Sequence, residues 1–157
     1  MHDDPAYEVT VTDIAGDRAI DETLLRRAIE AVLRRHQVPM ARINVAILDD
    51  AGTARLNRDH LQHDGPTDVL TFDLRDRDTE DGAVDGEIVV SVDAAAREAA
   101  SRGHGLDAEI ALYAVHGVLH LLGFDDADED DAARMHEMED EVLSSIGLGA
   151  VFRAALL

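Results

Sequence analysis

The 157-residue sequence predicts an α+β fold of about four strands and about five helices, one of the helices buried in the core. Three observations carry this. Short apolar or alternating runs recur near residues 8–14, 43–48, 69–74 and 86–92, each of strand length. Around them lie longer stretches with apolar residues three and four apart, led by Asp and closed by Gly or Pro. One of these, residues 108–122, is apolar on nearly every side, which an exposed helix is not.

The first run, from Glu8 to Ile14, alternates Val9 and Val11 with Thr10 and Thr12, the period of a half-exposed edge strand. Asp21 can then cap a helix to about His36, because Leu25, Ala28, Ile29, Val32 and Leu33 form one stripe and Pro39 forbids continuation. Arg26, Arg27, Arg34 and Arg35 lie on its other side, where they could face nucleic-acid phosphates, although the stretch reads more simply as a solvated face laced by pairs such as Glu30 with Arg34. Ile43 to Leu48 is continuously apolar and suits the sheet centre. A short helix starting at Asp49 or Asp50 carries Ala54, Leu56, Asn57 and His60, and Asp64-Gly65-Pro66-Thr67-Asp68 marks a turn. Val69 to Leu74 is the third strand, with Leu70, Phe72 and Leu74 on one face, and residues 75–82 form a polar loop. Gly86 to Val92 is the fourth strand, after which Asp93 can cap a helix up to Gly103. Asp107 is expected to cap the buried helix. A last helix runs from about Asp128 to Ser145, its acids Asp128, Glu129, Asp130 and Asp131 at the end where the helix dipole favours negative charge.

This length is most simply one domain, residues 1–157, able to bury a core without covalent staples. With no cysteine, disulfides and thiolate metal sites are excluded, so any ion must be held by His, Asp or Glu. No leader-like N-terminal pattern and no membrane-length apolar run is present, and a cytoplasmic protein with no membrane partner is expected. The formal charge is -20, and all 14 basic residues are arginine. Nucleic-acid binders normally carry a basic footprint, so composition alone argues against that class. Two origins fit an acidic chain without lysine: a salt-rich cytoplasm that screens surface carboxylates, or an arginine-biased genome with an ordinary acidic surface.

The buried helix carries the chemistry. His116 and His120 are four residues apart, so both project from one face and can offer two imidazole nitrogens to one ion. Gly123 can adopt the left-handed conformation that ends a helix, letting the chain return Asp125 or Asp126 as a third donor. Three ligands leave a position open, the catalytic rather than the structural arrangement. Position 117 is glycine, so the glutamate base of HExxH proteases is absent. His136 is a weaker candidate whose place on a charged helix face suggests solvent, and His60, His63 and His104 could approach the cleft, although nothing in the sequence places them.

The stretch from His116 to Asp126 resembles the HxxxHxxGxxH signature of the YbeY family of single-domain metal-dependent endoribonucleases and ribosomal-RNA maturation factors. Leu56-Asn57, Pro66-Thr67-Asp68-Val69-Leu70-Thr71-Phe72 and Gly86-Glu87-Ile88 resemble its upstream motifs, and Met135 and Glu139 match its last helix. The resemblance implies a small mixed sheet of about four strands packed with helices, and one divalent metal ion of the zinc type held by His116, His120 and, by position, Asp126. It further implies cleavage of single-stranded RNA in 16S ribosomal-RNA 3′-end maturation and ribosome quality control, with ribosomal RNA and small-subunit proteins as partners. The chemistry would be attack on a phosphodiester by water or by the RNA's own 2′-hydroxyl.

Two positions depart from the family. Asp126 stands where the third histidine falls, which makes oxygen-preferring ions better competitors. His60 and Leu61 stand where the family has an aromatic residue and a cleft-facing arginine; Arg58 lies about one helical turn earlier. The missing arginine and the acidic surface favour a second reading, a non-catalytic, metal-stabilised assembly factor that docks on the small subunit.

Overall fold

A computed structural model of the chain describes residues 6–61 and 68–149, without the side chains of His60 and Leu61. His63, the turn over residues 64–67 and Pro66-Thr67 of the expected motif lie outside the described residues. Among the described residues the chain forms β1 (Ala6–Asp13), α1 (Glu22–Arg35), β2 (Met40–Leu48), α2 (Asp50–Leu56), β3 (Val69–Asp73), β4 (Val84–Ser91), α3 (Val92–Arg102), α4 (Leu106–Leu121) and α5 (Glu129–Ser145). One wider helical turn, Asn57–Leu61, continues α2. This is the expected α+β class.

The four strands lie in the order β1-β2-β4-β3, with β1 and β4 parallel to β2 and β3 antiparallel to β4, a mixed sheet. β1 is an edge, and Val9 and Val11 turn toward the core while Thr10 and Thr12 donate outward to Asn44 Oδ1. β2 is central, and Ile43, Val45 and Ile47 are fully enclosed. It starts at Met40, earlier than the apolar run, because pairing with β1 begins at Ala6 opposite Met40. β3 stops at Asp73, leaving Leu74 half exposed.

Asp21, Asp49 and Asp128 cap α1, α2 and α5, each accepting from a backbone N–H of the first turn. Two expected caps are replaced. Ser91, not Asp93, caps α3, because the ladder of β4 carries its extended backbone to Ser91 and the helix begins at once. Asp107 does not cap α4; Gly105 takes that position without a side-chain bond, and the Asp107 carboxylate accepts from Asp21 N–H instead.

α4 is the axis of the fold. It packs against α1, α3 and α5 and lies over β3 and β4, burying Ile110, Val115, Val118 and Leu119. Each large side chain enclosed in this way contributes roughly 1.5–3 kcal/mol. Two glycines permit the close approach of helix and sheet. A Cβ on Gly117 would stand 3.0–3.1 Å from three carbons of Ile88, and one on Gly86 would stand 2.7 Å from Leu121 and 3.0 Å from the Phe72 carbonyl. On the opposite sheet face Ala46, Leu70 and Val89 form a small cluster with Leu56 and Phe72. No helix among the described residues is long and apolar enough to cross a membrane.

Candidate metal centre

The site is assembled by the end of α4. Gly123, at φ +98°, closes the helix in a Schellman arrangement: Phe124 N–H donates to Leu119 O at 3.0 Å and Gly123 N–H to His120 O at 3.0 Å. Arg75 Nη2 reaches in from the β3–β4 loop and donates to Leu121 O at 2.7 Å, satisfying another terminal carbonyl. The chain then folds back, and Asp125 is used locally, accepting from Ala127 N–H. Asp126 is left facing the two histidines.

His116, His120 and Asp126 therefore converge, and they form a group able to hold a metal ion. His116 Nε2 and His120 Nε2 are 3.0 Å apart; His116 Nε2 lies 3.5 Å from Asp126 Oδ2 and His120 Nε2 3.6 Å from Asp126 Oδ1. Donor atoms at ~2.0–2.2 Å from one ion stand about 3–3.6 Å from one another. The three separations, two of which run to different oxygens of Asp126, fall in that range, and neutral imidazole with carboxylate is a donor set for divalent ions. The residues present fit the group.

Behind the donors stands Glu139 of α5, 1% exposed. Its Oε2 lies 2.7 Å from His116 Nδ1 and its Oε1 2.7 Å from His136 Nδ1. A carboxylate can only accept, so it fixes the proton of His116 on Nδ1 and turns the Nε2 lone pair toward His120 and Asp126. Burial pushes the His116 pKa down, but the hydrogen bond and charge of Glu139, and then the charges of Asp126 and Asp68, outweigh it and leave the pKa raised. An anionic field that favours a proton here also favours a metal cation.

His136 is a correction. Its pairing with Glu139 and its near-parallel stacking on His116, with ring centroids 6.3 Å apart, draw it in from the expected solvent-facing place. The i,i+3 spacing of His136 and Glu139 is the signal in the sequence that points to this pairing. His104 does not approach the centre; its Nε2 bonds Glu109. A pocket of about 130 Å³ opens beside His116, Glu139 and His136 and is walled by Asp68, Arg102 and Tyr113. A larger hollow of about 660 Å³ lies among Tyr7, Met40, Arg42 and Asp85, at the start of β1, β2 and β4, and includes none of the three donors.

The sequence model described as Endoribonuclease YbeY matches residues 10–147. Among curated proteins, the chain is similar to the Endoribonuclease YbeY of Carboxydothermus hydrogenoformans, 39% identical over 88% of this chain and 96% of that one. It is also similar to that of Pelotomaculum thermopropionicum, 38% identical over 89% and 97%. Among solved structures, the solution structure of TM1509 from Thermotoga maritima shares the fold, with a TM-score of 0.59 at 23% identity over 89% of this chain and 91% of that one.

Proposed function

The chain belongs to the YbeY endoribonuclease family, and on that premise we propose that it is a metal-dependent enzyme cleaving single-stranded RNA, acting in the cytoplasm in 16S ribosomal-RNA 3′-end maturation and ribosome quality control. The observation that carries the chemical part is the convergence of His116 Nε2, His120 Nε2 and Asp126 on a half-exposed corner of α4. A divalent ion held there would supply positive charge to phosphate oxygens and acidify water at neutral pH.

The chain's own residues do the rest. His116, His120 and Asp126 hold the ion, and Glu139 holds the Nδ1 proton of His116 so that Nε2 stays available as a ligand. Gly123 and Arg75 fix the turn that returns Asp126 to the histidines. The partly exposed side chains of His120 and Asp126 leave the centre open on the solvent side, where an RNA strand would approach. His116→Ala is expected to lose both bound metal and RNA cleavage; a metal-free variant cutting RNA at the wild-type rate would refute the proposal.

The second reading is the non-catalytic assembly factor. Leu61 in place of the family's arginine and a net charge of -20 favour it, since such a surface suits basic ribosomal proteins better than bare RNA. Rescue of 16S processing in a deletion strain separates the two. The wild-type chain but not Asp126→Ala should rescue if the protein is an enzyme, and an Asp126→Ala variant shown to remain folded should rescue as well if it only docks.

A further inference from the structure

We infer that Asp126 grips the ion through both carboxylate oxygens, so that this centre suits a five- or six-coordinate, oxygen-tolerant ion such as Mn(II) or Fe(II) better than a three-histidine centre does. The carboxylate straddles the histidine pair. Its Oδ2 is the oxygen nearest His116 Nε2, at 3.5 Å, and its Oδ1 the one nearest His120 Nε2, at 3.6 Å. Each oxygen thus faces one of the two nitrogens, the disposition from which both can reach one ion. Here the two oxygens share the approach almost equally.

The surroundings point the same way. Two imidazoles and a chelating carboxylate supply four donor atoms before solvent or substrate arrives, which already fills the shell of four-coordinate zinc. The centre nevertheless stays open, with the His120 and Asp126 side chains 31% and 39% exposed. Further oxygen ligands can therefore enter only by raising the coordination number. Two histidines and one carboxylate with open positions are the donor set of non-haem iron(II) sites. Among the described residues Asp126 is the acid grouped with the two histidines, while Asp125 accepts from Ala127 N–H and Asp128 from Asp131 N–H. Zinc stands above manganese and iron in intrinsic affinity at almost any site, so the consequence is a changed ratio and a changed geometry rather than exclusion of zinc.

This inference rests on the metal-centre reading above, and the experiment separates the two. Co(II) is added to the metal-free protein and its visible spectrum recorded, and Mn(II) binding is followed by its paramagnetic resonance with Zn(II) as competitor. Wild type, Asp126→His and Asp126→Asn are compared. The half-exposed turn position tolerates both changes, and the amide of Asn keeps the shape while offering one oxygen. Wild type is expected to give the weak absorption of five- or six-coordinate cobalt, and both variants the intense absorption of four-coordinate cobalt. The zinc-to-manganese affinity ratio should rise at least about tenfold in Asp126→His. An intense four-coordinate spectrum in wild type, or an unchanged ratio, overturns the inference and leaves the metal centre standing. Failure of every ion to bind wild type overturns both.

Discussion

Glu109 and Glu139 are both buried, at 0% and 1% exposure, and both accept from two basic side chains. Glu109 takes His104 Nε2 and Arg102 Nη1, closing the turn between α3 and α4. Glu139 takes His116 and His136, and so ties α5 to α4. The device is the same: a carboxylate withdrawn from water and compensated by two partners. What differs is the far side of the histidine. His116 presents its second nitrogen to His120 and Asp126, whereas Arg102, the other partner of Glu109, leads on to Glu98 at the surface. The Glu139–His116 pair backs a candidate metal centre because the second nitrogen of His116 meets further donors.

The sharpest way to break this comparison is to neutralise each glutamate in turn. Glu139→Gln is expected to lower metal affinity by roughly 10–100-fold, since it removes the acceptor that orients His116. Glu109→Gln should leave metal affinity unchanged and lower stability by about 1.5–3 kcal/mol, the worth of hydrogen bonds to a charged group. Metal titration on the folded variants and urea unfolding read the two effects separately. Equal losses of affinity in both variants would show that the two ends of α4 are not independent.

The seat of the helix between them gives a second, smaller contrast. A Cβ at Gly117 meets Ile88 at 3.0–3.1 Å, and the overpacking should cost about 1–3 kcal/mol. Because Gly117 lies between His116 and His120 of the candidate metal centre, Gly117→Ala should also weaken metal binding, while the bonds of Glu109 to His104 and Arg102 survive. Unfolding curves, metal titration and the His104 ring resonances test this. Intact metal affinity in a destabilised variant would mean that the turn at Gly123, not the seating of α4, positions the ligands.

Much of this architecture is legible in the order of the residues alone. The four strands and α1, α4 and α5 follow from periodic burial, and His116 and His120 from their spacing. What is not legible depends on distance along the chain. Ser91 and Asp93 are both cap-type residues two apart, and the reach of the β4 ladder decides between them. The bond of Asp107 to Asp21 spans 86 residues and has no local signature. Asp125 and Asp126 are equivalent by composition, and the bond from Ala127 separates them. Glu109 carries a signal of its own, as an acid in an otherwise apolar helix, a placement that requires buried partners.

Tyr113 lies on the same face of α4, one turn from Glu109 and one from His116, and tests where one device ends and the other begins. Its hydroxyl is buried without a well-formed hydrogen bond among the described residues, and Glu109 is the acceptor beside it. Burial first, and then the charges of Glu109 and Asp68, push its ionisation far up, so it stays a neutral donor. A donor buried without a partner costs stability, so Tyr113→Phe should leave stability within about 0.5 kcal/mol of wild type or raise it. Metal affinity should not change. A loss above about 1 kcal/mol in urea unfolding would mean that the hydroxyl bonds Glu109 in solution, making it a third partner in the structural pair. A loss of metal affinity instead would place Tyr113 with Glu139, and the boundary between the two ends of α4 would move one turn toward the helix N-terminus.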